Sequence, residues 1–87
     1  MRTLLLLMAQ YDGMPVVPLD KVCRDFFSHL TPAQFVRKCS AGDIALPVVR
    51  MDPSSQKTAK GIHITDLAEY IDACRSAASN ELRQLMR

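Results

Sequence analysis

Gln34 and Arg37 stand three residues apart, Ala33 and Lys38 flank them, and Arg50, Gln56, Lys57 and Lys60 follow downstream. A glutamine carboxamide pairs bidentately with adenine, and an arginine guanidinium with guanine, across the major groove of a duplex. Lysines and arginines beside them suit phosphate oxygens. These eight residues therefore make a candidate nucleic-acid contact set, with Gln34 and Arg37 reading bases and Lys38, Arg50, Lys57 and Lys60 gripping the backbone. The whole chain of 87 residues carries only +2, but residues 37–61 hold five basic side chains against two acidic ones. A local cationic excess points to a polyanion rather than to a small acidic molecule. Each residue also has a plainer use. Gln34 can close a capping box, Arg37 and Lys38 can be solvated helix residues, Arg50 can pair with Asp52 or Asp66, and Lys57 and Lys60 can guard a sheet edge.

Four helical segments and a hairpin are predicted to position them. Thr31 is an N-cap, Pro32 sits at the first helical position and Gln34 at the third, so Thr31–Ala41 begins as a capped helix and stops at Gly42. Its apolar stripe is Phe35, Val36 and Cys39, which leaves Ala33, Gln34, Arg37 and Lys38 outward. Leu19–Ser28 precedes it, with Leu19, Val22, Cys23, Phe26 and Leu30 at helical spacing. Only Ser28, His29 and Leu30 separate the two, which demands a sharp helix–turn–helix corner. Leu46–Met51 and Gly61–Ile64 read as paired strands around the polar tip 52–60. His63, between Ile62 and Ile64, should face out of this sheet.

The ends of the chain read as packing elements. Leucines at positions 4–7 predict a helix over 3–12, capped by Thr3, stopped near Gly13 and buried on nearly all faces, with a buried strand as the alternative. The apolar run is too short for a signal peptide or a membrane span, which suggests a cytoplasmic protein. Met14–Pro18 should be extended as a short edge strand. Thr65 should cap a last helix over 65–86, with Leu67, Ile71, Cys74, Ala78, Leu82 and Leu85 as its stripe. That stripe outruns the core of so short a chain, and with the leucine-rich first helix it predicts a homodimer or higher homo-oligomer. Tyr11 and Tyr70 read as aromatics at the core edge.

Enzymatic readings find no support. There is no nucleophile elbow, no phosphate-binding glycine loop and no Ser/His/Asp order with flanking glycines. Asp66 and Glu69 lie one turn apart where a helix start explains them. Cys23, Cys39 and Cys74 are widely spaced and lack histidines at ligand distance, so buried reduced thiols are expected rather than a metal site. No cofactor is implied.

Leu7–Tyr11, Val17–Leu19, Val22–Phe27, His29–Pro32, Gly42–Ile44, Leu46–Arg50, Gln56–Lys57, Ala59–His63, Asp66–Ala68 and Tyr70–Asp72 form an ordered series that resembles the pyocin activator protein family over residues 3–78. The resemblance implies a transcriptional activator of phage-derived bacteriocin genes. It implies binding to promoter boxes in double-stranded DNA, RNA polymerase as a further partner, and a place in the bacterial cytoplasm on the nucleoid. The layout is also similar to excisionase and MerR-type winged domains. The expected fold is mainly α with a small β-hairpin (α+β), a single winged helix–turn–helix domain over 1–87. Within it lie an N-terminal helix over 3–12, the helix–turn–helix over 19–41, the wing hairpin over 46–64 and the last helix over 65–86. A protein–protein adaptor, anti-repressor or antitoxin-like, is the alternative.

Overall fold

The computed structural model describes residues 2–55 and 57–86. The elements run α1 (Arg2–Gln10), β1 (Val16–Pro18), α2 (Leu19–Phe26), α3 (Pro32–Ser40), β2 (Val49–Arg50), β3 (Lys60–His63) and α4 (Ile64–Leu85). The chain is thus mainly helical with a small antiparallel sheet of order β1-β3-β2, an α+β arrangement.

The core forms where apolar stripes meet. Val17 lies opposite Ile62 in the β1–β3 ladder, and both are fully buried. Phe35, Leu67 and Val22 complete the innermost layer. The helix α2 packs on β1 and β3, α3 packs on α2, and α1 packs on α4. Gly61 sits at the seam, because a Cβ there would stand 2.5 Å from the Val17 carbonyl oxygen. Only a residue without a side chain lets the two strands approach so closely.

The first helix departs from the expectation of burial on nearly all faces. Leu7 is buried, but Leu5, Leu6 and Met8 are exposed, Leu6 by 71%. The reason is coverage: α4 lies against one face of α1, and the opposite face keeps its leucines. Thr3 is not a cap but a helical residue whose hydroxyl donates to Asp72 Oδ1 at 2.6 Å. The helix ends two residues earlier than predicted, in a left-handed pair at Asp12 (φ 53°) and Gly13 (φ 73°). There the Gly13 N–H returns to the Met8 carbonyl at 2.7 Å.

Other assignments also shift. The helix α2 stops at Phe26, so five residues rather than three join it to α3. Phe27 leaves the helical conformation (φ −133°, ψ 47°). It is Phe27, 8% exposed, that enters the core, while Phe26 is 38% exposed. The Phe27 ring stacks on Phe35 with centroids 4.6 Å apart and tilts toward Tyr70 at 5.9 Å. Leu46–Val48 joins no ladder, since Pro47 has no N–H to donate and pairing begins only at Val49. Leu46 is buried all the same. Of the three cysteines, Cys23 is buried, Cys39 half-buried and Cys74 exposed. Cys74 stands at the middle of α4 beside Phe26 and Phe27, on the rim of the core rather than inside it.

The last helix is capped by His63, not Thr65: the His63 Nδ1 accepts from the Thr65 N–H at 3.1 Å. Strand β3 therefore passes into α4 with no intervening loop.

Candidate nucleic-acid interface

The helix α3 takes its start from its first four residues. Thr31 Oγ1 accepts from the Gln34 N–H at 3.2 Å, and Gln34 Oε1 accepts from the Thr31 N–H at 3.0 Å. Both hydrogen bonds of a capping box are present, so the Gln34 carbonyl oxygen is engaged by its own helix and its amide NH₂ stays outward. At the other end Gly42 adopts φ 82°, which turns the Asp43 and Ile44 N–H groups back to the Lys38 carbonyl. This fixed start and stop direct Phe35 inward and leave Ala33, Gln34, Arg37 and Lys38 exposed. Gln34, Arg37, Lys38 and Ala41 line a shallow depression of about 320 Å³, rimmed by Leu30 and by the carboxylate of Asp43.

The second group is built on the β2–β3 hairpin. Arg50 and Lys60 are register partners, so two cations stand opposite each other across two strands. Like charges so placed repel. Neither forms an ion pair within 4.0 Å among the described residues, where the contact found joins Arg24 to Asp25. Arg50 therefore does not use Asp52 or Asp66 in that way. Lys57 is exposed on the hairpin tip. Gln56 lies outside the described residues.

The tip is ordered by Asp52, Ser54 and Thr58, none of them in the predicted contact set. Asp52 Oδ1 accepts from the Ser54 N–H at 3.1 Å and from the Ser54 hydroxyl at 2.6 Å. These bonds hold the Asp52 carboxyl below the usual carboxylate range. Its own N–H donates to Thr58 Oγ1 at 2.7 Å, and the Met51 N–H donates to the Ala59 carbonyl at 3.1 Å. The Asp52-Pro53-Ser54 order is the signal that could have revealed this turn.

Seven of the eight predicted residues are described and fall into two clusters: Ala33, Gln34, Arg37 and Lys38 on α3, and Arg50, Lys57 and Lys60 on the hairpin. Both clusters rest on one scaffold, since α3 packs on α2, and α2 packs on β3. No group of histidine, cysteine or carboxylate side chains suited to a metal occurs among the described residues. None of the described helices is long and apolar enough to cross a membrane.

Comparison with known families adds what geometry alone does not. The family model described as Pyocin activator protein PrtN matches residues 3–78. No curated protein and no solved structure gives a significant match. The matched span takes in α1 from Thr3 onward, the sheet, α2, α3, both cationic clusters and the first two thirds of α4. The chain belongs to the pyocin activator protein family.

Proposed function

We propose that this chain is a DNA-binding transcriptional activator of pyocin genes, with α3 as its recognition helix and the β2–β3 hairpin as a basic wing. Family membership supports the regulatory role and counts against an enzyme. The observation that carries the DNA contact is the Arg50–Lys60 pair. Two opposed cations with no ion-pair partner among the described residues are held at a cost that a phosphate between them removes. The outward Arg37 and Lys38 on α3 supply the second grip. In this reading α3 enters the major groove and the hairpin follows the adjacent backbone. The protein acts in the bacterial cytoplasm as a homodimer, its copies joined along the far part of α4, where Leu82, Leu85 and Met86 are exposed.

Fluorescence anisotropy with a fragment upstream of a pyocin operon tests the reading. Four cations on phosphates, Lys38, Arg50, Lys57 and Lys60, give a log–log salt slope of roughly −3 to −4. A flat salt dependence overturns the surface. Arg37→Ala should weaken the cognate fragment far more than random DNA, whereas Lys57→Ala should weaken both alike. Equal losses for Arg37→Ala would remove it from base reading. Gln34→Ala is the harder case, because it also breaks the capping box. Its effect on the helix must first be separated by thermal unfolding.

A further inference from the structure

A second cationic feature lies apart from α3 and the hairpin. Where the amino end of α1 meets the middle of α4, a groove of about 770 Å³ is lined by Arg2, Arg75 and Arg83. Its one carboxylate, Asp72, is engaged by the Thr3 hydroxyl at 2.6 Å. None of the three guanidinium groups has an ion-pair partner within 4.0 Å among the described residues. Arg75 and Arg83 are eight residues apart on one helix, about 12 Å along its axis at 1.5 Å per residue. The groove lies on a different face of α4 from Ala45 and Pro47 of the loop between α3 and β2, which flank Asp66 and Glu69.

We infer that this groove, with the outer face of α1 beside it, is the surface through which the activator holds an acidic protein partner, a carboxylate-bearing face of the transcription machinery. The inference rests on the proposed activator role. Three features favour protein over a second stretch of DNA. The cations are arginines without lysine, and protein interfaces enrich the first and deplete the second. Guanidinium groups bind carboxylates bidentately, which gives direction as well as charge. Finally, Arg2 is one helical turn from Leu6 on the same side of α1, and Leu6 and Leu5 are both exposed. An arginine cluster bordered by exposed leucines suits a protein contact, whereas a phosphate backbone offers leucine nothing.

The test uses the full chain and an Arg75→Glu/Arg83→Glu double variant, both checked by circular dichroism. Purified bacterial RNA polymerase holoenzyme is the probe, immobilised without DNA. The wild-type chain should be retained, and the double variant should lose at least tenfold in retention. On a pyocin promoter in single-round transcription, the variant should keep its affinity for the fragment within twofold while its transcript falls at least tenfold. An Arg75→Lys/Arg83→Lys variant should recover only part of the retention, because a point charge replaces a fork. Equal retention of wild type and the Glu variant, or no retention of either, overturns the inference. So does a parallel loss of promoter affinity, which would make the groove a DNA contact, or a changed sedimentation coefficient, which would assign it to a second copy. Should the wild-type chain hold polymerase but no promoter fragment, the groove stands and the DNA reading falls.

Discussion

At the residue scale, the most consequential polar contact is one that the spacing of the chain hides. Tyr11 Oη donates to Asp25 Oδ2 at 2.6 Å, tying the end of α1 to α2, and Arg24 Nε donates to the other carboxylate oxygen at 3.0 Å. The Arg24 and Tyr11 hydrogen bonds hold the Asp25 carboxyl below its ordinary range. Burial, and then the Asp25 contact, push the Tyr11 phenol well above its own. The two shifts act at opposite ends of the pH scale. Stability from Asp25 is complete above the ordinary carboxylate range and drains away as pH falls through its lowered folded value. Stability from Tyr11 is complete below the ordinary phenol range and is lost as pH rises toward its raised folded value. Thermal unfolding followed against pH should show Asp25→Asn flattening the acid limb and Tyr11→Phe flattening the alkaline one. Composition pointed only to a core-edge role for Tyr11, because its partner is on another helix. Gln34 was legible by contrast, since both of its capping bonds close within three residues.

Local signals named most elements, and tertiary contacts decided which faces they bury. The capping box and Gly42 delimited α3 because caps and left-handed stops are short-range. The phase of α2 was misread at its end: periodicity continued onto Phe26, but the helix stops there and Phe27 swings in. Truncating each ring separates the two. Phe27→Ala should cost about 3–5 kcal/mol through the cavity left beside Phe35, whereas Phe26→Ala should cost about 1 kcal/mol. Denaturant unfolding of both variants is the check, with similar losses counting against the stacked core. Gly61→Ala is a second test at this scale. Its new methyl would press on the Val17 carbonyl 2.5 Å away. It should cost a few kcal/mol, as overpacking does, about 1–3 or more. No sequence signal marked that glycine, because the need for it arises from a strand more than forty residues earlier. The candidate site was legible in composition and helix phase, whereas Asp52 and Thr58, which shape the hairpin tip, were not.

The whole molecule measures 51 × 28 × 19 Å, elongated because α4 runs on after its contacts with α1 and the sheet end. Leu85 at the far end is 82% exposed. An uncovered apolar stretch of this kind is where a second copy is proposed to sit, and Leu82→Glu/Leu85→Glu should dissociate it. Sedimentation velocity of the wild-type chain should give twice the variant's mass at micromolar concentration. A wild-type monomer would remove the dimer without touching the α3 and hairpin clusters. The expectation of overhang came directly from a stripe too long for its core, whereas the exposed outer face of α1 did not, since four consecutive leucines look the same buried or bare. One joint described above links these parts mechanically. His63 ends β3 and caps α4, so the hairpin and the 22-residue helix share a stiff corner with no slack between them. At 1.5 Å per residue that helix is a lever of about 33 Å, so a tilt of about 10° at the hairpin sweeps its tip through roughly 6 Å. In the proposed DNA-bound dimer, clamping the hairpin onto a duplex would therefore aim the far end of the rod as well, and the spacing of the two sites would set the angle between the paired rods.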